Sequence, residues 1–410
     1  MVTNQWRIAD DYRRGAGLLG MLLAGAASAP VFAQSVQEPI TELSFTAQVR
    51  HDGNLDSGST PGLETSDDRL SLGTAIRLAR PFGRHSLSLD GFLGYDFYRR
   101  NSQLNSERIG FSADAELDAG FCQLGLKPRI NRQQSNLYDI SVIAVPGIGS
   151  VRNIETTQVY RGELRCGNEL RIRPLVYYER SYGNNSNILR QVSNYHGETI
   201  GGGLSYSNPV LGNFDVSVER TTTKYPNRPT LGGLSGYRQD QIKLATSREI
   251  GAVLTADGFV AFTHVKPENA VAATYNGMSW SLGVTFIPVT DLRLRANLAQ
   301  QIDPALGNNA LYSRNRDWGL SATYQLGPRT SVGASFDRSE RLYRGAQPVL
   351  GPVLTNDSVN RISGRFDFTP NRRFGIGLEV GHERRNANGT FYDYRNTFVA
   401  VNTRFTLGAL

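Results

Sequence analysis

Long apolar runs are almost absent from this 410-residue chain. Residues 16–27 (AGLLGMLLAGAA) form the one clear example, and they are too few to cross a bilayer as a helix. No segment has a convincing 3.6-residue apolar stripe, which speaks against a helical bundle. Hydrophobic residues make up only 39% of the sequence, little for a soluble protein of this length, which should bury a larger core. Metal-binding patterns are lacking too: the five histidines are scattered, without the spacing of a ligand set. There is no G-x-S-x-G elbow, no H-E-x-x-H and no phosphate-binding glycine loop. The sequence therefore offers no catalytic residue, no metal site and no cofactor, and an enzyme is not expected. Charge is not concentrated either. A net charge of +7 with no basic run or basic helix is weak ground for nucleic-acid binding.

What is present is alternation. In residues 158–182, Tyr160, Gly162 and Leu164 oppose Arg161, Glu163 and Arg165. Further on, Leu170, Ile172, Pro174, Val176 and Tyr178 oppose Arg171, Arg173, Tyr177 and Glu179. Period two over this length predicts two β-strands with unlike surroundings on their faces. Gly167-Asn168 between them predicts a hairpin turn. If Cys166 belongs to a three-residue loop with them, Arg165 faces Glu169 and Glu163 faces Arg171. A two-residue loop would mix the faces and is excluded by parity.

The same pattern runs from Ile40 to the C-terminus. It predicts about 18 strands of ten or more residues, the length a tilted membrane strand needs. Tight turns, as at Arg80-Pro81-Phe82-Gly83, alternate with longer polar connections, as at 53–66. The stretch 251–265 has no clear outward face, which keeps 16 strands as the alternative. Aromatics on the apolar faces fall at two levels. Tyr206, Phe214, Phe286, Tyr324, Phe368, Phe374 and Phe405 lie beside short turns or the C-terminus, and Tyr95, Phe97, Tyr160, Tyr178 and Trp318 lie towards the other end. Two aromatic girdles around an aliphatic band fit the two interfaces of a membrane. The expected fold is all-β: a transmembrane antiparallel β-barrel with short periplasmic turns and longer extracellular loops.

Arg13-Arg14 before the apolar stretch, and Val31-Phe32-Ala33 before Gln34, read as a secretory signal peptide over residues 1–33. Residues 34–39 then form a short periplasmic leader, and 40–410 a single barrel. The expected location is the outer membrane of a Gram-negative cell. The last strand alternates Val399, Val401, Thr403, Phe405 and Leu407 with polar residues. It resembles the C-terminal strand signal read by the barrel-assembly machinery, an implied partner, although it continues to Gly408-Ala409-Leu410 instead of ending on an aromatic.

Signal peptide, strand number and the lack of a plug or periplasmic domain together resemble the outer-membrane β-barrel porins associated with exopolysaccharide export. The resemblance covers the whole mature chain and rests on pattern, with no diagnostic motif. It implies a passive channel for a polar solute or polymer. A structural or adhesive barrel with exposed loops is the alternative, and a hydrolase with a site at the rim is a third reading.

Three features carry site expectations. Cys122 and Cys166 fall at the periplasmic rim of neighbouring strands, where an oxidising compartment permits a disulfide; two lipid-facing thiols are the other reading. Arg108, Lys127, Arg129, Arg161, Arg165, Arg171 and Arg173 gather on strands four to seven, with Arg293 and Arg295 across the barrel. They are candidates for a lumen strip that attracts an anionic solute or polysaccharide. Asp114, Glu116, Glu163 and Glu179 share those faces, and a ladder of paired charges is the favoured reading. The run 140–150 (ISVIAVPGIGS) either folds into the lumen or lies between strands extended above the membrane, the latter favoured. Phe92 and Tyr177 point inward, as sugar-stacking surfaces or, preferably, as packing.

Overall fold

The computed structural model describes residues 40–55, 64–135, 152–167, 172–208, 210–228, 235–268, 273–306, 310–345, 353–389 and 392–407. The expected signal peptide and leader, Arg171 and the run 140–150 lie outside them.

Eighteen strands among the described residues form one closed antiparallel barrel. In chain order they are β1 (Ile40–Asp52), β2 (Asp67–Phe82), β3 (His85–Tyr98), β4 (Ser106–Ala119), β5 (Cys122–Gln134) and β6 (Ile154–Cys166). Then come β7 (Ile172–Asn185), β8 (Tyr195–Asn208), β9 (Gly212–Lys224), β10 (Gly236–Ile250), β11 (Leu254–Pro267) and β12 (Tyr275–Val289). The ring is completed by β13 (Leu292–Pro304), β14 (Tyr312–Gly327), β15 (Thr330–Arg344), β16 (Asn356–Phe368), β17 (Phe374–Ala387) and β18 (Tyr394–Leu407). Each strand pairs with its sequence neighbour, and β1 closes on β18 with Leu43 opposite Leu407 and Val49 opposite Val401. Closure leaves no unpaired edge, so every strand finds ladder partners without help from water.

Turn chemistry explains why one end has short connections. Gly83 (φ 64°) and Gly120 (φ 76°) take the left-handed conformation that a tight turn needs and a side chain resists. At the β8–β9 turn the Asn208 side chain accepts hydrogen bonds from the amides of Val210 and Leu211. The Asn371 side chain does the same for Arg373 and Phe374 between β16 and β17. The longer connections, and both ends of the sheet's 3₁₀ turn at Ile188–Ser193, collect at the opposite end.

The faces sort as the alternation predicts. Leu72, Ile76, Val176, Ile200, Val218, Leu282, Leu320 and Val401 are exposed on the outside, while Asp96, Lys127, Glu163, Asp317 and Asp357 are buried within. An apolar outside around a charged inside reverses a water-soluble fold and suits a lipid surroundings. The strand without a clear outward face is β11. Phe262 and Val260 are exposed, but Phe259, Ala261 and Val265 are buried inside it, so both faces are apolar. It is a full member of the ring, and the count is 18.

The β6–β7 hairpin differs from the expectation. Glu163 lies opposite Tyr177 and Arg165 opposite Leu175, so Arg165 does not face Glu169 and Glu163 does not face Arg171. The register is displaced by an even number of residues, and β7 begins only at Ile172. Parity is kept, so every side chain keeps its face.

Cys122 and Cys166 are register partners across β5 and β6, and the structure joins them as a disulfide with 2.01 Å between sulfurs. In the chain-entropy model, closing a loop of this size restricts the unfolded chain by roughly 4 kcal/mol. Unfolded wild type should therefore migrate faster on non-reducing than on reducing electrophoresis, and Cys122→Ser should abolish the difference. Identical mobility in all lanes would show the bond is not made.

Candidate solute pathway

The inner wall is built in layers. Tyr177 on β7 lies flat over Gly201 of β8, where a Cβ would meet the ring at 2.3 Å. Its hydroxyl donates to Glu219 at 2.6 Å, and the Arg161 guanidinium stacks on it 4.1 Å from the ring centre. Phe92 is set likewise against Gly73 and Gly94, with Arg108 5.1 Å from its ring centre. Both inward aromatics are thus wall packing that carries a cation on its lumen side. Gly201→Val should displace Tyr177 and destabilise the barrel by about 1–3 kcal/mol, the usual cost of overpacking. Urea unfolding followed by tryptophan fluorescence would measure it, and an unchanged midpoint would contradict this packing.

On β4–β7 the expected basic residues converge on one carboxylate. Glu163 is almost fully buried. It is bonded by Arg165 at 2.7 Å and Lys127 at 2.8 Å, with Arg161 at 3.4 Å. Arg161 also approaches Glu179 at 3.8 Å, and Lys127 approaches Asp114 at 4.0 Å. Arg108 pairs with Asp96 at 3.0 Å. Arg173 stands opposite Ser205 near the short-turn end. Arg129 has no ion pair among the described residues. Neutralisation by neighbours is the rule on this wall.

Arg293 and Arg295 sit on β13, eight strands round the ring from β5, in a lumen recess shared with Arg361, Arg365, Asp337 and Glu379. Arg361 bonds Glu379 at 3.0 Å and Arg365 bonds Asp367. Arg295 has no ion pair among the described residues. The sequence reading missed Arg361 and Arg365, although Arg361, Ser363, Arg365 and Asp367 alternate with Ile362, Gly364 and Phe366 as clearly as any other strand. Above them Asp357 receives both Arg341 (2.6 Å) and Arg385 (2.5 Å).

The long-connection end is narrowed by the chain itself. Ile302 and Tyr312 stand on the parity that faces outward lower in β13 and β14, yet both are buried against Tyr237 and Val265 of β10 and β11. The described upper parts of β13 and β14 therefore lean in over the mouth. Leu306 reaches β7, where its carbonyl accepts from the Asn185 side chain at 3.4 Å. Two residues after β9 fasten it. Tyr225 donates its hydroxyl to the Leu311 carbonyl and accepts from the Ala305 amide at 3.3 Å. Arg228 donates to the Ala310 carbonyl at 2.6 Å and to the Val192 carbonyl at 3.0 Å, with its guanidinium 3.7 Å over the Tyr225 ring. Burial pushes the Tyr225 phenol up to about 12, so it stays a hydrogen-bond donor at any ordinary pH. In the same 3₁₀ turn that supplies the Val192 carbonyl, Arg190 is buried against Ser135 (3.3 Å) and Glu155 (3.4 Å).

Residues 176–341 match a family model described as Gram-negative porin. The match runs from β7 to β15, which includes Tyr225, Arg228, the leaning hairpin and Arg293 and Arg295, and leaves out Glu163 and the disulfide. No curated protein matches the chain. Among solved structures it is similar to OccK2 (OpdF) of Pseudomonas aeruginosa in complex with glucuronate. That likeness has 12% identity and a TM-score of 0.46 over 90% of this chain and 98% of that one. A BenF-like porin from Pseudomonas fluorescens Pf-5 is similar at 10% identity and a TM-score of 0.45, covering 90% and 99%. OccAB3 of Acinetobacter baumannii gives 10% identity and a TM-score of 0.42, again over 90% and 99%. Likenesses of this strength say nothing of what passes through the barrel.

Proposed function

We propose that this chain is a passive outer-membrane channel for small polar solutes. The observation that carries the reading is the closed barrel with lipid-suited residues outside and hydrogen-bonding and charged side chains within. The match of 176–341 to the Gram-negative porin model supports the same class and the outer-membrane location. The mouth crossed by the Arg228-anchored hairpin favours small solutes over a threaded chain. Export of a polysaccharide, implied by the resemblance in sequence pattern, gains no support from the comparisons. The wall clusters argue for weak charge selectivity, because Glu163 holds Lys127, Arg161 and Arg165, Asp96 holds Arg108, and Glu379 and Asp367 hold Arg361 and Arg365; Arg129 and Arg295 are left to meet an anionic solute.

Liposome swelling tests the proposal. Vesicles carrying the refolded barrel should swell in a monosaccharide and not in a high-molecular-weight dextran. Failure to admit the monosaccharide would overturn it.

A further inference from the structure

Glu163, Asp96, Asp52 and Asp357 are buried in the inner wall, and each holds at least one cation. Asp303 of β13 and Asp317 of β14 are also buried, yet neither makes an ion pair among the described residues. Arg341, the cation beside Asp317, is bonded to both oxygens of Asp357 through Nε (2.8 Å) and Nη2 (2.6 Å). Asp303 is faced by Asn315, Asp317 and the phenols of Tyr195 and Tyr237, and none of these is a cation. An unmatched buried carboxylate is costly, and two together are costlier because they repel.

Unused oxygen atoms stand between the two. Gln301 and Asn315 are register partners across β13 and β14. Asp303 lies one pleat above them and Asp317 one pleat below, on the same inner face. Gln301 is 9% exposed and Asn315 7%. The Gln301 Oε1 and the Asn315 Oδ1 are both buried, and neither accepts a hydrogen bond. The Asn315 Nδ2 donates to Asp303 at 2.7 Å, which holds that carboxylate in the group. Two carboxylates and two amide oxygens on one face form the donor set of a hard cation, with no thiolate or imidazole of the kind zinc prefers. Calcium tolerates irregular oxygen shells completed by water, whereas magnesium demands a near-ideal octahedron of short bonds. Ligands spaced by the pleat of two strands suit calcium.

We propose that Asp303, Gln301, Asn315 and Asp317 bind a calcium ion at the mouth of the barrel, which cancels the two unmatched charges. Isothermal titration of calcium chloride into the full-length refolded barrel, stripped with chelator and free of envelope lipid, tests it. Wild type should bind one calcium per chain, and more tightly than magnesium. D303N/D317N should bind none. D257N, which removes an exposed inner carboxylate of β11, should bind as wild type. Q301M nearly keeps the side-chain volume and removes an oxygen that accepts nothing. It should bind calcium about tenfold more weakly, since affinity follows the ligand count. In chelator its urea midpoint should stay level or rise, because a buried unsatisfied oxygen has gone. Q301M decides the matter even where the double variant fails to refold. No binding by wild type, equal affinity for magnesium, or wild-type affinity in D303N/D317N or Q301M would each overturn the proposal. Binding is read without current, so its failure leaves the channel reading standing, and a silent barrel that binds calcium refutes the channel alone.

Discussion

Arg228→Ala should widen the mouth, seen as a larger and noisier single-channel conductance. The guanidinium joins three elements at once, taking carbonyls from the 3₁₀ turn and from the β13–β14 hairpin while lying on Tyr225. A hydrogen bond from a charged donor contributes ~1.5–3 kcal/mol, so loss of two would shift the closed-to-open ratio of the hairpin by roughly a hundredfold or more. Tyr225→Phe removes the neighbouring pair of bonds, to Leu311 and Ala305, and should move conductance in the same direction by less, because both are neutral. The barrel should remain folded in both cases, since its ladder is untouched. Conductance indistinguishable from wild type in Arg228→Ala would mean the hairpin does not restrict the path.

Glu163→Gln should have the second large effect, on selectivity and on stability together. Lys127, Arg161 and Arg165 all bond this one carboxylate. Neutralising it leaves three cations crowded on one wall, and breaking a buried pair from one side costs about 3–5 kcal/mol. The same loss turns a matched cluster into a basic patch that concentrates anions. Reversal potentials in a salt gradient should therefore move towards anion selectivity, and the urea midpoint should fall. Removing Arg165 as well, in E163Q/R165Q, should recover part of both. An unchanged reversal potential would show that the cluster stands off the solute path.

These two sites show how far the alternation of side chains reaches. Which face each residue occupies is set by period two, and Arg161, Glu163 and Arg165 could be placed inside from their neighbours Tyr160, Gly162 and Leu164. Partners are another matter. Parity permits Glu163 to face Arg171 or Tyr177, because a shift of six residues leaves every face intact, and the structure has Tyr177. The convergence of Lys127 on Glu163 crosses between β5 and β6, whose register is fixed by the pairing of Cys122 with Cys166 rather than by a short turn. β11 was ambiguous because Phe259 and Val265 pack against inner neighbours, so the polar half of its pattern is missing. The fastening of the mouth left no mark at all. Arg228 and Tyr225 bind backbone carbonyls, which every residue has, in segments about eighty positions away. No residue type announces such a contact.

The central claim is a water-filled path through the barrel, and single-channel recording in a planar bilayer tests it most directly. The refolded wild type should insert as discrete, ohmic conductance steps with a small reversal potential in a salt gradient. A folded, inserted barrel that passes no current, and stays silent when Arg228 is replaced by alanine, would contradict it.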